Sequence, residues 1–220
     1  MLLKALKILS AIVFFPVVMS CTKAFLRSLE ALSLFNANSF LLIGGFFAYP
    51  IFHIVFMKPM YIYALGHEIM HVLAAWICGG KVTSFKISRA GGSVTTTKSN
   101  VFIRLSPYFV PIHTIFLIAV FWGISAVYGA SRFFNEFMFL IGFTMSFHIF
   151  MTIEVMKMRQ PDIVKTGLLF SVFLIYTSNI FIMLFTLSLI FKSISFAAFA
   201  KDTFILSKDI YLGLFNRLFG

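Results

Sequence analysis

The stretch Tyr61–Trp76, YIYALGHEIMHVLAAW, holds two histidines and a glutamate inside an otherwise apolar run. His67 and His71 stand four residues apart, a spacing that puts both side chains on one face of an α-helix, about 6 Å from each other. Both imidazoles can then reach one tetrahedral zinc, and Glu68 beside the first of them can act as general base toward water at the metal. Three ionisable groups in mid-helix each cost about 2–3 kcal/mol on membrane-insertion scales and persist mainly where they serve a function. Ala64, Ala74, Ala75 and Cys78 lie along the same stripe, small groups that let neighbouring helices come close.

Outward from this stretch the composition fits a bilayer. Of 220 residues 60% are apolar, 31 are Phe and only 11% are charged, with a mean hydropathy of +1.00. Too little polar surface remains to coat a globule in water, which excludes a soluble domain. Lys and Arg number 18 against 7 Asp and Glu, a net charge of +11. These basic residues sit between apolar runs, so they read as cytoplasmic loops and contacts to anionic lipid, with no nucleic-acid partner implied. Cys21 and Cys78 could form at most one bridge, so no disulfide framework is implied.

Five runs reach the roughly 20 residues a span requires: Ser39–Met57, Met60–Gly79, Leu105–Ala130, Phe137–Met156 and Gly167–Phe191. Lys58 and Pro59 alone separate the first two, which predicts antiparallel neighbours across a tight turn. Counting basic residues by loop puts Lys81–Arg104 in the cytoplasm and the Lys58 turn outside. It also favours an N-terminal hydrophobic helix, over Ile8–Met19, that is uncleaved and lies at the interface or re-enters it. Val82–Ser88 and Ser93–Thr97 read as the strands of a β-hairpin with its turn at Arg89–Gly92. Polar pairs at Lys201-Asp202, Lys208-Asp209 and Asn216-Arg217, with Phe204, Tyr211, Phe215 and Leu218 between them, predict a C-terminal amphipathic helix on the membrane. The expected fold is an all-α polytopic membrane protein: about five transmembrane helices, the N-terminal helix, a short hairpin after the His67 helix, and the C-terminal helix. Residues 1–220 are read as one integral membrane domain, multi-pass, in the cell (inner) membrane.

A His-Glu-x-x-His inside a hydrophobic helix, followed at once by Gly79-Gly80-Lys81 and a short hairpin, then further helices and a late Pro161-Asp162, resembles the site-2 protease family of intramembrane zinc peptidases, peptidase family M50. The likeness covers about residues 60–191. It implies one Zn²⁺ per chain, held by His67, His71 and a third ligand at Asp162, with Glu68 catalytic. The family's Asp is commonly followed by Gly and preceded by Asn or Pro; here Ile163 follows and Gln160-Pro161 precede. On ligand chemistry alone, Glu154, His148 and Cys78 are alternatives to Asp162, whereas His53 and His113 read as packing residues.

The reaction implied is hydrolysis of a peptide bond in a membrane-embedded or membrane-adjacent protein, with the hairpin adding a strand to the unwound substrate. A zinc transporter or metal sensor is the second class, suggested by histidines on four successive spans: His53, His67 with His71, His113 and His148. A non-catalytic membrane scaffold is the third, although such a relative would usually have lost Glu68 or a histidine. No sequence signal specifies an oligomeric state.

Overall fold

The computed structural model describes all residues except 1, 33–35, 57, 89–90, 130–131 and 220, together with the side chains of 2–8 and 11. Along the chain run α1 (Leu2–Glu30), α2 (Ala37–Val55), α3 (Met60–Ile77), β1 (Val82–Ser88), β2 (Gly91–Thr96), α4 (Val101–Phe109), α5 (Ile112–Tyr128), α6 (Phe134–Lys157), α7 (Pro161–Thr166), α8 (Leu168–Ile190) and α9 (Phe196–Phe219). The fold is an all-α polytopic membrane protein with one small hairpin. Among the described residues, α2, α6, α8 and Ile12–Glu30 of α1 are long and apolar enough to cross a membrane. The pair α4 and α5, bent by 66° at a short break, makes a fifth candidate if it is one span. The set differs in one member from expectation. His67, Glu68 and His71 leave α3 too polar to stand among these helices, while α1, expected at the interface, is long enough to stand among them.

Two compact units emerge, Leu34–Asp162 and Met1–Ser33 with Ile163–Gly220. In the first, α2 packs most extensively on α6. Two glycines permit this: a Cβ on Gly45 would stand 1.9 Å from the Phe139 carbonyl oxygen, and one on Gly142 1.9 Å from that of Leu42. Tyr49 then sits fully buried amid Phe143, Phe147 and Phe150. The pairing advances from Leu42 at Gly142 to His53 at Phe150, so α2 and α6 run parallel.

α2 thus packs on α6 and not, as expected, chiefly on α3 across the Lys58 turn. Lys58 Nζ and Lys157 Nζ bind the same Glu154 carboxylate, at 2.7 and 2.8 Å, which puts the turn and the end of α6 together. The break after Phe109 explains the reversal. Pro111 disfavours helical backbone at the residue before it, and Val110 is extended at φ −89° and ψ 112°. The predicted third span therefore splits. Its first part, α4, folds back on α3, with Ile103 at Met70 and His71, and Tyr108 at His67. Only α5 runs along α6, antiparallel, with Thr114 at Thr144 and Phe121 at Phe137.

α3 ends where Gly79 takes a left-handed φ of +69° and Gly80 N–H donates to the Ala75 carbonyl at 2.7 Å, a stop that glycine adopts without Cβ strain. The chain then enters the hairpin as predicted, with one change. Gly91 and Gly92 belong to β2, paired with Ser88 and Ile87, instead of to the turn; Arg89 and Ala90 lie outside the described residues.

In the second unit α1 packs on α8 and α9, with Phe14 and Phe15 against Phe170 and Phe173. The predicted C-terminal helix forms as α9. Phe199, Thr203 and Ser207, spaced by four, are its buried residues, and Tyr211 onward is exposed.

Candidate metal centre

His67, His71 and Asp162 converge within the unit Leu34–Asp162. One ligand atom from each lies within 4.8 Å of the others, and no second cluster of this kind occurs among the described residues. Helical periodicity brings the two histidines together: their rings stand 4.9 Å apart, edge to face. Asp162 arrives by a break. α6 stops at Lys157, the chain loops through Met158–Gln160, and α7 restarts on Pro161, whose fixed φ and missing N–H suit a first helical position. Asp162 Oδ2 then lies 3.4 Å from His71 Nε2. Two ligand atoms each about 2.0–2.1 Å from a tetrahedral metal are about 3.3 Å apart, so this pair is spaced for a shared cation.

The rest of the His71 ring is committed. Its Nδ1 lies 2.8 Å from the Ile103 carbonyl oxygen, and because a carbonyl can only accept, Nδ1 carries the proton and Nε2 keeps its lone pair for a metal. Ile103 is itself placed by the cap of α4, where Asn100 Oδ1 accepts from Ile103 N–H at 2.8 Å. His67 is held by the ring of fully buried Tyr108, 4.9 Å away and nearly perpendicular. Its Nδ1 is buried with no hydrogen-bond partner among the described residues. Tyr63 steadies the same turn through Thr152, hydroxyl to hydroxyl at 3.1 Å.

Glu68 is buried, 7% exposed, and lies against the hairpin. A Cβ on Gly92 would be 2.4 Å from Glu68 Cγ, so only glycine lets β2 lie so close. The hairpin and α3 thus enclose the carboxylate, and His67, Glu68, Gly91 and Gly92 line one cavity.

Two of the alternative ligands, Glu154 and Cys78, are engaged elsewhere. Glu154 holds Lys58 and Lys157 and stands 3.9 Å from His53 Nε2. Cys78 Sγ accepts from Asn100 Nδ2 at 3.3 Å. His148, buried on α6, is outside the cluster. His53 bonds the Tyr49 hydroxyl and His113 Nε2–H donates to the Ile62 carbonyl, each at 3.0 Å. Sequence reasoning missed Asn100, Ile103 and Tyr108. Asn100 before the run Val101–Phe109 is a legible cap signal; the carbonyl of Ile103 carries none, since its role depends on α4 folding back on α3. No protein-family model matches the chain, and no curated protein or solved structure matches it either.

Proposed function

We propose that this protein is a zinc-dependent endopeptidase of the site-2 protease kind, cutting peptide bonds within or beside the membrane. The observation that carries the reading is the meeting of His67, His71 and Asp162 donors within 4.8 Å, on the helix where Glu68 follows the first ligand. Two imidazoles and a carboxylate, with room for a fourth partner, are the donor set of catalytic zinc sites. Zinc bound there would supply Lewis acidity, polarising a substrate carbonyl and acidifying water. Glu68 takes the proton of the attacking water and returns it to the leaving amine. A substrate helix has its carbonyls internally bonded, so it must unwind first, and the hairpin offers main-chain partners to the released segment.

Purified protein should carry about one zinc per chain, and the His67→Ala, His71→Ala double variant should carry none by elemental analysis. Glu68→Gln should keep the metal and lose cleavage, because an amide holds the shape without accepting a proton. Comparing membrane proteomes of cells carrying wild-type or Glu68→Gln protein reads this directly. Zinc flux into proteoliposomes, with no proteolysis by either form, would replace the peptidase reading with a transporter.

A further inference from the structure

A cavity of about 260 Å³ opens onto His67 and Glu68. Met60 and Tyr63 of α3 and Val155 and Met158 at the end of α6 give it apolar walls, Gln160 adds one polar side chain beside Met158, and the bare main chain of Gly91 and Gly92 forms another side. Ala64 lines it one helical turn before Glu68. We infer that this cavity is a specificity pocket that takes one large apolar side chain, of the Phe, Leu or Met class, next to the scissile bond. The inference rests on the peptidase reading and states what the enzyme selects.

The size argument is direct. A buried apolar cavity of about 150 Å³ accepts a benzene ring, so this one, at about 260 Å³, has room for a phenylalanine side chain and the start of its backbone. Away from His67, Glu68 and Gln160, the walls formed by Met60, Tyr63, Val155 and Met158 favour apolar contents, and the two methionine thioethers can adapt to aliphatic or aromatic shapes. A side chain seated here leaves its own peptide unit beside His67 and Glu68, where the proposed chemistry occurs. The hairpin side carries no side chain at Gly91 or Gly92, so an extended backbone can lie against β2 while its side chain fills the cavity. Ala64 keeps the volume open, because a longer side chain at this position would project into it.

Two measurements test this. In the first, full-length Glu68→Gln protein is photolysed with a Leu/Ala membrane peptide of about 20 residues bearing benzoylphenylalanine beside a central Gly-Pro break. Crosslinks should map to Met60 or Met158 and vanish in an Ala64→Leu background. In the second, wild-type protein is given the same peptide with Phe, Leu or Ala at that position. Phe and Leu should be cleaved at least about tenfold better than Ala, with the preference abolished by Ala64→Leu. Met158→Trp fills the pocket from the opposite, more exposed wall and should act alike, which guards against misfolding of the Ala64 variant; both must retain zinc. Crosslinks confined to other residues, or cleavage with unchanged preference in both variants, overturn the pocket. Crosslinks at Met60 or Met158 without cleavage of any peptide establish a binding pocket for an apolar side chain and overturn its place beside a scissile bond, and with it the peptidase reading.

Discussion

Asp162 is the residue on which the proposed metal site depends most, because nothing in local sequence ties it to His71. A carboxylate flanked by Arg159 and Lys165 would ordinarily be a surface ion-pairing group, and exposed pairs contribute only about 0–1 kcal/mol. Here its Oδ2 stands 3.4 Å from His71 Nε2, so removing its charge should act on the metal instead of on folding. Asp162→Asn is expected to lose most zinc and all cleavage at unchanged expression. Glu154→Gln, which touches only the lysine pair and His53, and His148→Gln should retain both. A metal-loaded, active Asp162→Asn protein would move the third ligand to another residue.

At the scale of elements, α4 matters more than its nine residues suggest. Its cap, Asn100, holds Ile103 N–H, and Ile103 in turn fixes the His71 tautomer through its carbonyl. Asn100→Ala should therefore do two things. It should cost about 1 kcal/mol of cap energy and, by loosening an outer partner of a ligand, weaken zinc about 10- to 100-fold. Asn100→Asp, which can still cap, should restore most of the affinity in a competitive chelator titration. The α2 and α6 pair makes a second prediction. Gly142→Leu drives side-chain atoms into the Leu42 carbonyl, whereas Gly123, on α5, has nothing within 4 Å of its would-be Cβ. Overpacking typically costs about 1–3 kcal/mol, so Gly142→Leu should lower the thermal midpoint in detergent while Gly123→Leu leaves it unchanged.

For the molecule in its membrane, the parallel run of α2 and α6 sets which loops share a side. α3 and α4 fold back on each other as an antiparallel pair, and α5 runs antiparallel to α6. Lys58 and Lys157, both on Glu154, thus lie at one end of this unit, and the positive-inside rule predicts that end in the cytoplasm. Single cysteines at 58 and 157 should both resist an impermeant thiol reagent in intact cells and both react in inverted vesicles. Opposite labelling of the two would reject the parallel arrangement.

The helical membrane class, the hairpin strands and the His67, Glu68 and His71 pattern were all legible from residues alone. Each rests on a local rule: apolar run length, two-residue alternation, or the four-residue period that stacks side chains on one face. The number of long apolar segments was legible in part: four helices qualify, with a fifth only if the bent α4 and α5 pair is one span, and the three ionisable groups of α3 and the continuous length of α1 change which segments stand among them. Three things needed the tertiary structure. The parallel contact of α2 with α6 comes from Gly45 and Gly142 meeting carbonyls about a hundred residues away, a match no local pattern encodes. The reversal at Val110–Pro111 was visible as prolines, but whether a proline bends a span or splits it depends on what α4 finds to pack against, and α3 offers it Met70 and His71. The approach of Asp162 to His71 follows from both, because the end of α6 must return beside the Lys58 turn before the Pro161 restart can carry a carboxylate to the histidines. Spacing along a helix fixed two donors; the third depends on non-local packing, which sums many weak contacts between segments far apart in the chain.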